Sequence, residues 1–285
     1  MSKSNKSTNK YVLAGAAAGF FVAALLTPAN AQTLGAQLAA SAAAVAVALP
    51  PASAPACRGP AEAARFIHPL VHTARRLAGG GPLVIVAIGS SSTAGAGASS
   101  PAASYPSRLA EELKTRFPGH DITVLNRGVN GQQTEQMMAR FETDVIAAHP
   151  DLVLWQVGTN SVLRDHPLRP HAVLLHEGIE QLKEAGADVV LMDMQYAPRV
   201  LAKPEVQGME DQIAFAAKAE NVDLFARFAV MRNWHEIRHI PFDAFVAPDQ
   251  LHMNDWGYAC VAKLLAAAIN EAATRPAASA ARVMR

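Results

Sequence analysis

The sequence has few of the features that mark nucleic-acid-binding or membrane-embedded proteins. Its 25 Lys and Arg residues are balanced by 24 Asp and Glu residues, and no basic stripe occurs. This charge pattern argues against a nucleic-acid partner. The apolar run near the start, Tyr11 to Leu26, has about 16 residues, fewer than the roughly 20 that span a bilayer. We therefore expect no stable membrane insertion, and nothing in the pattern specifies an oligomeric state.

Cysteine is also scarce, since only Cys57 and Cys260 occur. In an oxidising compartment this pair permits one disulfide, which would join the start of the folded domain to its last helix. Two unpaired cysteines in the core are the alternative.

The first 31 residues have the layout of a bacterial export signal. Lys3, Lys6 and Lys10 precede the apolar run, and Ala29-Asn30-Ala31 provides the small-x-small pattern of a cleavage site. A retained membrane anchor is the alternative. The pattern predicts a mature protein that is periplasmic or secreted.

Composition then divides the remainder of the chain. Residues 32–60 are rich in Ala and Pro and predict a disordered lead-in. Residues 61–275 alternate between apolar runs and amphipathic segments and predict one folded domain. Residues 276–285 predict a flexible tail.

Short apolar runs within 61–275 predict five strands, each followed by a turn and a helix. The first, Leu83 to Ile88, has no polar residue, as expected for a strand that is buried on both faces. The others are predicted at 121–126, 151–157, 188–194 and 222–225, and helices at 61–77, 105–117, 132–148, 171–185, 209–220 and from Asp255 to about 273. This alternation predicts an α/β fold with a five-stranded parallel sheet covered on both faces.

Four polar stretches follow predicted strands or precede the last helix, and their residue types suit acyl transfer. Ser91 is the candidate nucleophile, His252 the candidate base, and Asp249 the group that orients the imidazole. The backbone N–H groups of Ser91 and Gly131 and the side-chain amide of Asn160 are candidate oxyanion donors.

These four blocks, in this order, resemble the SGNH/GDSL hydrolase family over about residues 83–273. The family's signature residues fall on Ser91, Gly131, Asn160 and His252, with Asp249 completing a triad. The resemblance implies a three-layer, flavodoxin-like fold and esterase, lipase, thioesterase or carbohydrate-deacetylase activity without a cofactor. One departure is that the eponymous Gly-Asp-Ser-Leu reads Gly-Ser-Ser-Ser at 89–92, so three serines are adjacent, and the alignment with the family favours Ser91 as the nucleophile.

The resulting prediction is an exported serine esterase that acts on a short-chain acyl ester, with acetyl on a polysaccharide as the favoured case. An acyltransferase, a lysophospholipase or a thioesterase would use the same site. Side chains predicted to bind substrate are Ser92, Asn130, Arg127, Gln195, Tyr196 and Met253.

Two other functions compete with this prediction. His235, Glu236 and His239 form a His-Glu-x-x-His pattern that could bind zinc on a helix, although Pro241 would end such a helix at once. A catalytically silent carbohydrate-binding protein is the non-enzyme alternative, with Trp155, Trp234, Trp256 and Tyr196 lining a sugar site. The sequence favours the serine esterase, with no metal.

Overall fold

A computed structural model describes residues 54–62 and 65–275. Its centre is a five-stranded sheet in the order β2-β1-β3-β4-β5, in which every pair of neighbours is parallel. The strands are β1 (Leu83–Gly89), β2 (Ile122–Gly128), β3 (Leu152–Gln156), β4 (Asp188–Met192) and β5 (Asp223–Phe225). This is the strand order of flavodoxin-like folds, so the predicted α/β fold class is confirmed.

Helices connect successive strands, as parallel pairing requires. They are α1 (Val71–Gly79), α2 (Ser91–Ala94), α3 (Tyr105–Arg116), α4 (Thr134–Met138), α5 (Phe141–Asp144), α6 (Thr159–Leu163), α7 (Leu168–Glu184), α8 (Pro198–Leu201), α9 (Val206–Ala219), α10 (Arg227–Arg232) and α11 (Asp255–Thr274). Short 3₁₀ turns lie at Pro101–Ala103, Ile146–Ala148 and Phe242–Ala244, and a π-helical turn at Asn233–Ile237. Within 54–62 and 65–275, no helix combines the length and apolar character needed to cross a membrane.

The core lies on both faces of the central strands. All five residues of β3 are buried, and β1 is buried at every position but one, whereas β2 at the sheet edge is partly exposed. Trp155 on β3 packs edge-on against Phe141, with ring centroids 5.1 Å apart, and lies over Gly178 of α7. A Cβ at Gly178 would lie 2.3 Å from the indole, so the helix approaches the sheet only because this residue has no side chain.

The helix predicted at 132–148 is divided into α4, α5 and a 3₁₀ turn. The division falls at Arg140, whose guanidinium donates to the carbonyls of Gly89 and Arg127 and to the side chain of Gln132. These loop contacts override the helical propensity of the segment, which the sequence pattern does not reveal.

The helix predicted at 61–77 begins only at Val71. The backbone N–H groups of Ile67 and His68 donate to the Asp223 carboxylate, so this segment bonds to the sheet instead of to its own next turn. Pro69 has no N–H to contribute to a helix.

Three aspartates at the amino ends of the strands hold this amino-terminal segment. Asp223 begins β5 and binds Ile67 and His68, while Asp188 begins β4 and accepts from His72 N–H and from Thr73. Asp151, next to β3, accepts from Arg76 Nε at 2.8 Å and from Val84 N–H at 3.0 Å. Each carboxylate accepts hydrogen bonds from donors at the amino ends of the strands that would otherwise have no partner.

The lead-in predicted to end at residue 60 extends too far into the domain. Cys57 forms a disulfide with Cys260 of α11. Trp256 Nε1 donates to Pro55 O and Trp234 Nε1 donates to Arg58 O. The domain therefore begins by Pro55. The predicted signal at 1–31, the lead-in up to residue 53 and the tail at 276–285 lie outside the described residues.

Removing the disulfide is expected to lower stability, because the bond closes a loop with a sequence separation of 203. The double variant Cys57→Ala/Cys260→Ala should lose about 2–5 kcal/mol of unfolding free energy. Urea denaturation followed by circular dichroism measures this difference. Oxidised and reduced wild-type proteins with the same unfolding midpoint would contradict the expectation.

Candidate active site

Three turns at the carboxyl ends of adjacent strands form the site. Register pairs Gly89 of β1 with Gly128 of β2 and Ile88 of β1 with Trp155 of β3, so the segments after these residues emerge side by side. They contain Ser91, Gly131 and Asn160 respectively. This edge of a parallel sheet is where open α/β folds place their ligands.

Ser91, His252 and Asp249 form a hydrogen-bonded chain. His252 Nε2 lies 2.8 Å from Ser91 Oγ, across a sequence separation of 161, and His252 Nδ1 lies 2.5 Å from Asp249 Oδ2. The other carboxylate oxygen of Asp249 accepts the N–H groups of Leu251 and His252 at 3.0 Å each. Burial raises the pKa of Asp249, but its hydrogen bonds with His252 and Leu251 outweigh burial and hold that pKa below its ordinary value.

The loop that carries His252 is held on both sides. An antiparallel bridge joins Val246 to Met253, and Ala247 N–H donates to the His252 carbonyl at 2.7 Å. Immediately afterwards, the Asn254 side chain accepts from Gly257 N–H and caps α11. The cap Asn254 thus holds the backbone two residues after His252.

The geometry distinguishes among the three serines at 90–92. Ser90 and Ser92 are buried, and both donate to Gln156 Oε1, at 3.0 and 3.2 Å. Of the three hydroxyls, that of Ser91 meets the imidazole. Gly89 permits this tight turn, because a Cβ there would lie 2.2 Å from Thr93 Oγ1 and 2.9 Å from the Gln156 side chain.

The predicted oxyanion donors lie on turns that are hydrogen-bonded together. Val129 N–H donates to Gly89 O at 3.1 Å, which joins the β2 turn to the start of the serine turn. Asn160 Nδ2 donates to Gln132 O at 2.8 Å, and the amide has a second N–H available for another acceptor. Gly131 has φ +77°, a conformation that favours glycine, and it directs the β2 turn. Ser91 is the first residue of α2, where backbone N–H groups have no partner within the helix.

Comparison with protein families gives one match that spans the domain. The model of the non-GDSL lipase-like family covers residues 56–275. The chain belongs to this family. Its name agrees with the departure at Ser90, where the SGNH/GDSL pattern has Asp and this chain has a buried hydroxyl bound to Gln156.

Relatives of this non-GDSL lipase-like chain include two curated esterases. An arylesterase of Vibrio mimicus is 35% identical over 95 residues, which are 33% of this chain and 46% of the relative. An acetylxylan esterase of Geobacillus stearothermophilus is 27% identical over 167 residues, which are 53% of this chain and 74% of the relative. The chain thus spans about half the length of the arylesterase.

Solved structures share its fold. A two-domain esterase active on acetylated mannans superposes with a TM-score of 0.64 at 22% identity, covering 75% of this chain and 56% of that one. An acetyl xylan esterase superposes with a TM-score of 0.56 at 20% identity, covering 66% of this chain and all of that one (100%).

Three supporting side chains of this family member escaped sequence reasoning. Gln156 ends the otherwise apolar strand β3. A lone polar residue at the end of a buried strand is the one sequence feature that could have indicated a role for it in the site. Arg140 binds the carbonyls of Gly89 and Arg127, and Arg164 binds Gly131 O at 2.8 Å and Gln133 Oε1 at 3.0 Å. Nothing in the sequence pattern separates these arginines from ordinary surface residues.

Of the predicted substrate-binding side chains, three point into the protein and that prediction is corrected for them. Ser92, Gln195 and Met253 are at most 1% exposed. Ser92 and Gln195 are occupied by buried polar partners, and Met253 packs in the core. Their burial removes them from the surface that a substrate could reach.

The other three are placed differently. Asn130 is exposed beside Gly131, whereas Arg127 Nε donates to Asp144 O. Tyr196 is mostly buried, and its hydroxyl donates to Glu236 at 2.6 Å. Burial and this contact raise the pKa of Tyr196 to about 12.

Two of the His-Glu-x-x-His residues, Glu236 and His235, contact separate partners. Glu236 accepts from Tyr196, and a ring nitrogen of His235 contacts Ile240 O at 3.1 Å. His239 lies beyond the π-helical turn with φ +53°. Among the described residues, no group of three or more His, Cys, Asp or Glu side chains is arranged to hold a metal ion.

The tryptophans are not arranged as a sugar platform. Trp155 and Trp234 have no exposed surface, and Trp256 is partly buried edge-on against Trp234, with ring centroids 4.9 Å apart. Trp155 and Trp234 therefore have no open indole face on which a sugar ring could stack.

Replacing Gln156 by Leu should loosen the serine turn. The change removes the oxygen that accepts from Ser90 N–H and from the hydroxyls of Ser90, Ser92 and Thr93. Leaving buried donors without an acceptor is expected to lower the unfolding free energy by about 1–3 kcal/mol.

Urea denaturation of Gln156→Leu measures this loss, and Gln207→Leu on exposed α9 surface is the matched control. Equal midpoints for the two variants would show that the Gln156 oxygen does not stabilise the turn.

Proposed function

We propose that this chain is an exported serine esterase that hydrolyses short-chain acyl esters, with acetyl esters of a polysaccharide as the preferred substrate. The observation that carries the proposal is the 2.8 Å contact between Ser91 Oγ and His252 Nε2, with Asp249 on the opposite ring nitrogen. This arrangement of hydroxyl, imidazole and carboxylate is the one that activates a serine for acyl transfer.

In the first half of the reaction, Ser91 Oγ attacks the ester carbonyl while His252 Nε2 takes the hydroxyl proton. Asp249 accepts from Nδ1–H, which keeps the ring in the required tautomer and stabilises the imidazolium. The tetrahedral intermediate then collapses, the ester C–O bond breaks, and His252 returns the proton to the departing alcohol. An acyl-enzyme on Ser91 remains.

In the second half of the reaction, water takes the place of the alcohol and hydrolyses the acyl-enzyme by the reverse of these steps. His252 Nε2 removes a proton from the water as its oxygen attacks the acyl carbonyl. Collapse of the second intermediate breaks the bond to Ser91 Oγ, which recovers its proton from His252. The products are the free acid and the original enzyme.

Negative charge develops on the carbonyl oxygen in both halves. The backbone N–H groups of Ser91 and Gly131 and the remaining N–H of Asn160 Nδ2 are the proposed donors. Because the turns that carry them are bonded to one another, these donors need little reorganisation when the charge forms.

The relatives and the disulfide support the finer parts of the proposal. The similar proteins include an acetylxylan esterase and an esterase active on acetylated mannans, so an acetylated polysaccharide is the favoured substrate class. The Cys57–Cys260 disulfide suits an oxidising compartment, in agreement with export directed by the predicted signal at 1–31.

Hydrolysis should depend on one hydroxyl of the three. We expect Ser91→Ala to lose p-nitrophenyl acetate hydrolysis and labelling by a serine-directed organophosphorus reagent, because it removes the nucleophile. Ser90→Ala is the matched control and should retain labelling. A Ser91→Ala variant with wild-type turnover would overturn the assignment.

A panel of p-nitrophenyl esters of graded acyl length, together with acetylated xylan and mannan, then tests the substrate class. The highest kcat/KM is expected for acetyl. A preference for long acyl chains or thioesters would replace the acetyl assignment, and labelling without water-dependent turnover would indicate acyl transfer. Wild-type protein that binds a polysaccharide but neither reacts nor turns over would indicate a silent binding protein.

The Asn160 amide is expected to act on the transition state. Asn160→Ala should lower kcat by about 10²–10³-fold with little change in KM, because an oxyanion donor is used mainly once the charge has formed. Steady-state kinetics on p-nitrophenyl acetate measures both constants. Asn270→Ala, near the carboxyl end of α11, is the control. A higher KM for Asn160→Ala with unchanged kcat would contradict the assigned role.

A further inference from the structure

Arg227 is a fully buried cation on the interior side of the serine turn. It has no exposed surface and is the first residue of α10, directly after the short strand β5 and Ala226. Its Nη1 donates to Ser92 Oγ at 3.0 Å, and its Nη2 donates to Asp193 O at 2.5 Å and to Gln195 Oε1 at 3.1 Å. A cation at the amino end of a helix opposes the helix dipole, so this position is unfavourable unless the contacts compensate.

The guanidinium joins the serine turn to the turn that follows β4, where Gln195 lies. On one side it binds Ser92, the residue after Ser91, and Ser92 in turn donates to Gln156. On the other side it binds Gln195, whose Oε1 also accepts from Thr159 Oγ1 at 3.0 Å. Thr159 directly precedes Asn160. Arg227 thus joins the nucleophile turn directly to Gln195 and, through Gln195, to the turn of the proposed oxyanion donor.

A carboxyl pair balances the charge of Arg227. Burial and the neighbouring charge of Asp193 raise the pKa of Glu210 far above its ordinary value, so Glu210 is protonated at neutral pH. It is hydrogen-bonded to Asp193, whose Oδ1 also accepts from Phe228 N–H at 2.8 Å. Asp193 supplies one negative charge against the one positive charge of Arg227.

A buried ion pair is a costly way to fill space, since apolar side chains of similar volume often stabilise a core as well or better. The directional contacts of the guanidinium are what an apolar side chain could not supply. We infer that Arg227 is a positioning residue of the proposed reaction: its fork holds Ser92 and Gln195 together and thereby aligns Ser91 with Asn160. The inference rests on the proposed function.

Two variants separate alignment from simple stability. Arg227→Lys keeps the charge but has a single nitrogen, which cannot bind Ser92 and Gln195 with the same fork. Arg227→Met/Asp193→Asn removes both charges together, so that neither is left buried without a partner. We expect both to lower kcat for p-nitrophenyl acetate by about 10–100-fold while KM changes less than threefold. The rate of Ser91 labelling by an organophosphorus reagent should fall in parallel.

Arg232→Met is the matched control, because it removes an exposed arginine from the last position of the same helix, and it should leave both rates unchanged. Circular dichroism establishes that each variant is folded before its kinetics are compared. Folded variants with kcat within twofold of wild type would overturn the inference.

Should both Arg227 variants fail to fold, Gln195→Met and Ser92→Ala carry the test, because each removes one partner of the fork and leaves the charge in place. Each should lower kcat about 3–10-fold at unchanged KM, and folded proteins with wild-type kcat would be equally decisive against the inference. A wild-type protein without serine-dependent esterase activity would instead overturn the proposed function, so the two failures are distinguishable.

Discussion

Parallel register between β1 and its two neighbours is the constraint on which the site depends. Gly89 is paired with Gly128, and Ile88 with Trp155, so three strands end together and their following turns are adjacent. Parallel strands cannot be joined by a tight hairpin, so each strand is connected to the next by a crossover that contains a helix. This is how Ser91, Gly131 and Asn160, far apart in sequence, come to lie at one edge.

Strand register alone does not fix the positions of the turns that carry these side chains. Three arginines fix them further by hydrogen bonds to the turns. Arg140 binds the carbonyls of Gly89 and Arg127, Arg164 binds Gly131 O, and Arg227 bridges Ser92 and Gln195. A guanidinium has five donors in a planar fork, so it can hold two loops at a fixed separation. Arg140 and Arg164 donate to backbone carbonyls of these segments, and Arg227 donates to the side-chain oxygens of Ser92 and Gln195.

The two ends of the sheet have different tasks. At the carboxyl ends, small residues and hydroxyls form open turns beside the imidazole of His252. At the amino ends, Asp151, Asp188 and Asp223 bind the segment around Ile67 to Arg76. Separately, the disulfide between Cys57 and Cys260 joins the beginning of the domain to α11.

The local pattern of residues was enough for much of the fold: apolar runs, glycine-bearing turns and the Asp-x-x-His spacing predict an α/β parallel sheet and nominate Ser91, His252 and Asp249. Each of these features involves residues that are close together in the chain, so the sequence pattern is sufficient to reveal it.

Tertiary contacts decided the rest. They divided the predicted helix at 132–148, buried Ser92, Gln195 and Met253, and joined Cys57 to Cys260. They also placed the Ser91 hydroxyl against the imidazole of His252, 161 positions away, and directed the hydroxyls of Ser90 and Ser92 to Gln156. Long-range pairing of polar groups leaves no periodic signal in a chain, and it becomes visible only when the sheet has brought those groups together.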